Sequence, residues 1–195
     1  MSISKRNLLI GLIILIAVAG AIVIYWLSNQ ASDGVGIQTS LRRVHNVNAS
    51  FSIEYPVPWS YVEVNGDRGD KSIVGYILSP RLPGLGTEIM IRKGPMVFDS
   101  LDSVIEWGKE VAMKNQGYAA LSDRGEIING EMTSMHNYTW RTPKTPLIDT
   151  RERRCVDSYR YFQGRGYILT LCDDTPYYAN LEPTFNQIIS NFQFE

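Results

Sequence analysis

Hydrophobic and polar positions change their rhythm twice along this chain. Leu8 to Leu27 is a run of twenty residues without a charge. About twenty such residues cross a hydrocarbon core of about 30 Å. In lipid every backbone N–H and C=O must be satisfied within the segment, so the run is expected to be a helix despite its many Ile and Val residues. Ser28 to Thr39 is small, polar and aperiodic, the composition of a flexible stalk. From Phe51 the period becomes two. Phe51-Ser-Ile-Glu-Tyr alternates apolar with polar and stops at Pro56 and Pro58, and Trp59 to Val64 repeats the pattern up to the Asn65-Gly66 turn signal. The same reasoning places strands at Ser72–Leu78, Glu88–Arg92, Ala119–Ser122, Gly125–Ile128, Glu131–Arg141, Glu152–Phe162 and Tyr167–Asp173.

Two segments carry a helical period instead. Leu101, Val104, Ile105, Gly108, Val111 and Ala112 form one stripe of a helix expected over Leu101–Gln116, with Asp99 or Ser100 as its cap and Gly117 as its stop. Near the end of the chain Pro183 stands at an expected first-turn position, followed by Phe185, Ile188, Ile189 and Phe192 at helical spacing. Many strands joined by short turns, with one helix inserted and another at the end, describe an α+β domain built on a twisted antiparallel sheet.

Several of these segments together resemble the PsbP-like family, named for the extrinsic protein of the photosystem II oxygen-evolving complex. They are Phe51-Ser-Ile-Glu-Tyr-Pro with Trp59, the mid-domain helix, the Tyr167-x-Leu-Thr-Leu strand and the closing Phe185-Asn-Gln-Ile-Ile-Ser-Asn-Phe-Gln-Phe. The resemblance covers Phe51 to Glu195 and implies an α-β-α sandwich with a non-catalytic accessory role. The apolar N-terminal run stands where the photosystem protein has a cleaved targeting peptide, so photosystem binding does not carry over, and no metal or docking residue is transferred.

Charge sets the expected topology. Lys5 and Arg6 precede the apolar run directly, Arg42 and Arg43 come well after it, and Tyr25 and Trp26 sit at its far edge. The positive-inside bias then puts residues 1–7 in the cytoplasm, a membrane helix at 8–27, a stalk at 28–45 and one extracytoplasmic domain at 46–195. A cleaved signal peptide is the rival reading, since Ala17-Val18-Ala19 has a small-x-small form. Against it, the apolar run continues eight residues past Ala19. Removing Lys5 and Arg6 from the 19 basic residues leaves 17 against 20 acidic ones, a formal charge near −3 that disfavours nucleic acid as a partner.

Chemical motifs are sparse. Neither histidine, His45 or His136, sits in a nucleophile motif, and no H-E-x-x-H or paired C-x-x-C points to zinc, so no catalytic residue, metal ligand or cofactor is assigned. Asn65-Gly-Asp67-Arg-Gly-Asp70 gathers oxygen side chains but departs from an EF-hand loop and reads as a hairpin turn; it also contains the tripeptide Arg68-Gly69-Asp70. Arg151, Arg153 and Arg154 suit either an anion or the protection of a sheet edge. Asn48-Ala-Ser50 and Asn137-Tyr-Thr139 match the glycosylation pattern. Cys155 and Cys172 flank Phe162-Gln-Gly-Arg-Gly166. With Gln163 and Gly164 as the two loop residues they fall opposite each other on one face and suit a disulfide, whereas a loop one residue longer sets Cys155 against Asp173.

The resulting expectation is a non-enzymatic accessory or binding module, tethered to the outer face of the cell membrane and meeting a protein partner there. The alternatives are an envelope hydrolase with a scattered site and a small-ligand carrier or sensor. A deep polar pocket with His136 facing a carboxylate favours the hydrolase, an exposed flat or apolar patch favours binding, and an enclosed apolar cavity favours the carrier.

Overall fold

The computed structural model describes residues 40–67, 69–80, 87–95, 97–144 and 150–195. The expected cytoplasmic start, membrane helix and stalk up to residue 39 lie outside these, as does Arg68 of the adhesion-like tripeptide. Among the described residues no helix is long and apolar enough to cross a membrane.

The order of elements is β1 (Leu41–Asn46), β2 (Phe51–Pro56), β3 (Ser60–Glu63), β4 (Ile73–Leu78), β5 (Glu88–Lys93), α1 (Leu101–Met113), β6 (Ala119–Ile128), β7 (Glu131–Arg141), β8 (Glu152–Phe162), β9 (Arg165–Asp174), α2 (Thr175–Ser190) and β10 (Gln193–Phe194). The strands form two antiparallel sheets, not the single sheet expected. One has the order β3-β4-β5-β9-β8-β7-β6, the other β1-β2-β10. The difference arises at β1, all but the last residue of which falls within the stretch assigned to the stalk. Its apolar residues Leu41 and Val44 are three apart and so do not alternate, yet the strand pairs in full register with β2, Val44 opposite Ile53. The folded unit accordingly begins at Ser40, not at Asn46.

Ser100 caps α1 by a capping box. Its hydroxyl accepts from the Ser103 N–H while the Ser103 hydroxyl accepts from the Ser100 N–H. The helix ends at Met113, a turn earlier than expected, and Gly117 occupies a left-handed position (φ +65°) in the turn beyond. Its buried line is Val104, Gly108 and Ala112, with Ile105 and Val111 half-buried beside it. Gly108 lets helix and sheet approach closely, since a Cβ there would stand 2.2 Å from Tyr159 Cε1. For α2 the expectation is corrected: Pro176, not Pro183, occupies the first turn, and Pro183 lies inside the helix. Polar residues between Tyr178 and Phe185 hide the continuity of a face that buries Tyr178, Phe185, Ile188 and Ile189. The two short strands read between Ala119 and Ile128 are one strand, whose register slips between Ala120 and Ser122.

Residue parity along β9 shows how the layers stack. Tyr167, Leu169 and Leu171 join the main core with α2 and β2, whereas Ile168 packs with Val104 and Tyr159 beneath α1. One helix therefore covers each face of the seven-stranded sheet. Arg160 illustrates the demands of the α2 face. Its guanidinium is almost fully buried and donates to the Thr133 hydroxyl (2.7 Å) and to the Ile189 carbonyl, placing a cation at the negative end of the α2 dipole.

Candidate functional site

The α1 face of the sheet carries a transverse row of polar residues that no local motif announces. Register sets Asp123 opposite His136, His136 opposite Asp157 and Asp157 opposite Thr170, one from each of β6, β7, β8 and β9. Cross-strand partners share a face, so four distant sequence positions become one line of side chains.

At its β6 end the row is closed upon itself. His136 is 2% exposed, its Nδ1 lies 2.5 Å from Asp123 Oδ1, and its Nε2 lies 2.7 Å from the Tyr118 hydroxyl. An ionised carboxylate only accepts, so Nδ1 carries the proton toward Asp123, and in the neutral ring Nε2 accepts from Tyr118. The Lys109 ammonium, 2.7 Å from the other oxygen, is the leading cause that holds the Asp123 carboxyl below its ordinary range, with His136 adding to it against the opposing effect of burial. Burial pushes the Tyr118 phenol up, away from the ionised form that a nucleophile would need. Tyr138 stacks on the imidazole at 5.4 Å. His136 therefore does face carboxylates, as the hydrolase reading requires, but both its nitrogens are occupied within the protein.

Toward the centre of the sheet the row opens into a cavity of about 240 Å³ between the strands and the last turn of α1, with Glu88, Met90, Arg92, Trp140 and Asp157 among its walls. Asp157 is 3% exposed, and burial pushes its carboxyl up to about 6 against the hydroxyl of Thr170 and the charge of Arg92, which favour ionisation. The Tyr138 and Tyr159 hydroxyls approach its two oxygens at 3.4 Å each. Arg92 is engaged elsewhere, its Nε donating to Asp70 Oδ2 at 3.2 Å. Burial works against ionisation of Asp70, but hydrogen bonds from Ser72 and Arg92 prevail and hold its carboxyl below the usual range.

The Asn65–Asp70 turn is held by internal donors. Asp67 accepts from the Tyr76 hydroxyl at 2.6 Å and Asp70 from Ser72 and Arg92. Among the described residues no cluster of His, Cys, Asp and Glu is fit to hold a metal ion. The three arginines do not converge: Arg151 meets Asp174 at 3.3 Å, Arg153 donates to the Cys172 carbonyl at 2.7 Å, and Arg154 covers the Tyr178 ring at 4.6 Å. Their roles are three separate contacts, not one anion site. His45 is exposed and paired with Glu195. Asn137 is buried and accepts from Tyr178 (3.4 Å), out of reach of a glycosylating enzyme once folded, whereas Asn48 is exposed and bonds Glu63. The hairpin register is the two-residue-loop alternative: Phe162 faces Arg165 and Cys155 faces Cys172, with a Cα separation of 4.2 Å and the sulfurs joined. Cys172 also lines the cavity.

No protein-family model and no curated protein sequence matches the chain. Solved structures do. The cyanobacterial PsbP of Synechocystis superposes with a TM-score of 0.55 at 15% identity, covering 83% of this chain and 96% of its own. The folded unit has the PsbP fold. LpqN of Mycobacterium tuberculosis, described as involved in cell envelope biogenesis, gives 0.54 at 12% identity over 79% of this chain and 90% of its own. The Ran-binding protein Mog1p of Saccharomyces cerevisiae gives 0.51 at 7% over 80% and 96%. At these identities the likeness is one of backbone architecture.

Proposed function

We propose that the chain is a non-enzymatic accessory or binding module, tethered by residues 8–27 to the outer face of the cell membrane, and that it meets a protein partner or small ligand through the cavity beneath α1. The observation that carries this reading is a preformed cavity, more apolar than polar in its lining, whose walls do not include His136, the ring held between Asp123 and Tyr118. Such a cavity offers recognition, and the only imidazole near it, His136, stands with Tyr118 outside the described lining. PsbP-fold neighbours described as a Ran-binding protein and as a participant in envelope biogenesis agree with a binding or accessory role.

The rival hydrolase reading draws on one specific feature, the Asp123–His136–Tyr118 chain, which has the order of an orienting acid, a base and a hydroxyl. Full-length protein taken from its native membrane in mild detergent separates the two. A stoichiometric protein or small-molecule companion, with no turnover of ester, phosphodiester or glycoside substrates, supports binding. Turnover that disappears in His136→Ala but persists in an exposed-site control overturns it. External protease on intact spheroplasts checks the tether: digestion of the domain is expected, and its protection would reverse the topology.

A further inference from the structure

We propose that the cavity beneath α1 recognises an organic cation, an alkylammonium or guanidinium group carried by a small amine or by a basic side chain; this rests on the reading of the domain as a binding module. Among the described residues that line the cavity are the carboxylates of Asp70, Glu88 and Asp157 and the guanidinium of Arg92. Arg92 pairs with Asp70 at 3.2 Å and donates to the Thr170 hydroxyl at 3.4 Å. Among the described residues none forms an ion pair with Asp157, although it is the most deeply buried of the three acids.

The hydroxyls of Thr170, Tyr138 and Tyr159 bond Asp157, and none of them supplies a positive charge. Both phenol contacts are 3.4 Å long, beyond the roughly 2.5–3.0 Å of good O–H···O bonds. The groups acting on Asp157 are Arg92 from β5, Tyr138 and His136 from β7, Thr170 from β9 and Tyr159 on its own strand. A buried carboxylate is costly unless paired and fully hydrogen-bonded, and an N–H donor carrying positive charge supplies both. The walls suit the rest of such a ligand. Met90, Ile168 and Trp140 offer apolar and aromatic surface along which a methylene stem can lie. A volume of about 240 Å³ falls below the roughly 300–1,000 Å³ of sites for drug-sized molecules and matches one amine of a few carbons or one side chain.

Calorimetry on the full-length protein in detergent tests this with a pair of probes alike in shape and opposite in charge, butylammonium chloride and sodium butyrate. Butylammonium is expected to bind with a Kd of about 1 mM or tighter, and butyrate at least about tenfold more weakly. Asp157→Asn should weaken butylammonium at least about tenfold and Glu88→Gln about threefold, while Asp102→Asn on the exposed start of α1 changes nothing. Nα-acetyl-lysine amide binding as well as butylammonium assigns the cation to a polypeptide side chain, and binding by the free amine alone assigns it to a small molecule. Equal affinity for the two probes overturns the proposal. So does unchanged affinity in a folded Asp157→Asn protein, and if that variant does not fold, the probe pair and Glu88→Gln still decide. Should butylammonium fail to bind while a partner still co-purifies, the cation assignment falls and the binding-module reading stands.

Discussion

Replacing Asp157 by Asn is expected to stabilise the unliganded protein at neutral pH. Asp157 titrates at about 6 in the folded chain against an ordinary 3.8. A carboxyl whose folded value is raised holds its proton more tightly when folded. Its favourable contribution is complete below about pH 4 and is lost as the pH rises to about 6, leaving a deficit on the order of 3 kcal/mol at pH 7. Asn preserves the shape, carries no charge and can still bond the surrounding hydroxyls, although it gives up acceptor capacity worth about 0.5–1.5 kcal/mol per bond. The net gain at pH 7 should be about 1–3 kcal/mol, or several degrees in Tm for a domain of this size. Urea unfolding of both proteins at intervals from about pH 4 to pH 7 measures it, with the m-value unchanged. Asp70 and Asp123, whose carboxyls sit below their ordinary range, act in the opposite sense and lose their contribution on acidification. Both proteins share that loss, so their difference isolates Asp157. A difference that stays flat from pH 4 to pH 6, with the Asn variant the less stable at pH 7, would show that the carboxylate is ionised and fully compensated, refuting the argument that it awaits a cation.

Gly108→Ala gains helix propensity but sets a methyl 2.2 Å from Tyr159, so a net loss of about 1–3 kcal/mol is expected by chemical unfolding, and a gain would show that α1 can lift off the sheet at no cost. Ile188→Ala removes a fully buried side chain of α2 and should cost on the order of 2–5 kcal/mol in the same assay; a cost below about 1 kcal/mol would contradict the packing described. Thiol counting on protein taken from the membrane under denaturing, non-reducing conditions should find none free, and reduction should remove roughly 3 kcal/mol of stability. Two free thiols per chain would show that Cys155 and Cys172, though adjacent, are not bridged in the cell.

Much of the fold was legible because it rests on local periodicity. The alternation in Phe51–Tyr55 and the Val104–Gly108–Ala112 line write their burial into the sequence, and the Phe162–Gly166 turn fixed the Cys155–Cys172 register once its loop length was chosen. The elements missed are those whose partners lie far away. β1 lacks alternation and is a strand because β2 pairs with it, and β10 is two residues held by β2. The site was almost invisible for the same reason. Asp123, His136, Asp157 and Thr170 become neighbours only through three strand registers, and Tyr118 joins them from a turn. One signal was present: Asp157 shares its parity with Cys155, Tyr159 and Tyr161, the apolar side of its strand, where an acid has to be buried.

Binding through the cavity beneath α1, on the outer side of the membrane, can be read in intact cells by photo-crosslinking. A photoreactive residue would replace Asn115, which lines the cavity from the turn just after α1, and in a second strain Asp102, at the exposed start of α1. A discrete adduct is expected from position 115, absent from position 102, lost when Asp157→Asn is added, and degraded by protease supplied from outside. An adduct that forms equally at both positions, or that persists in the Asp157→Asn background, would contradict the account.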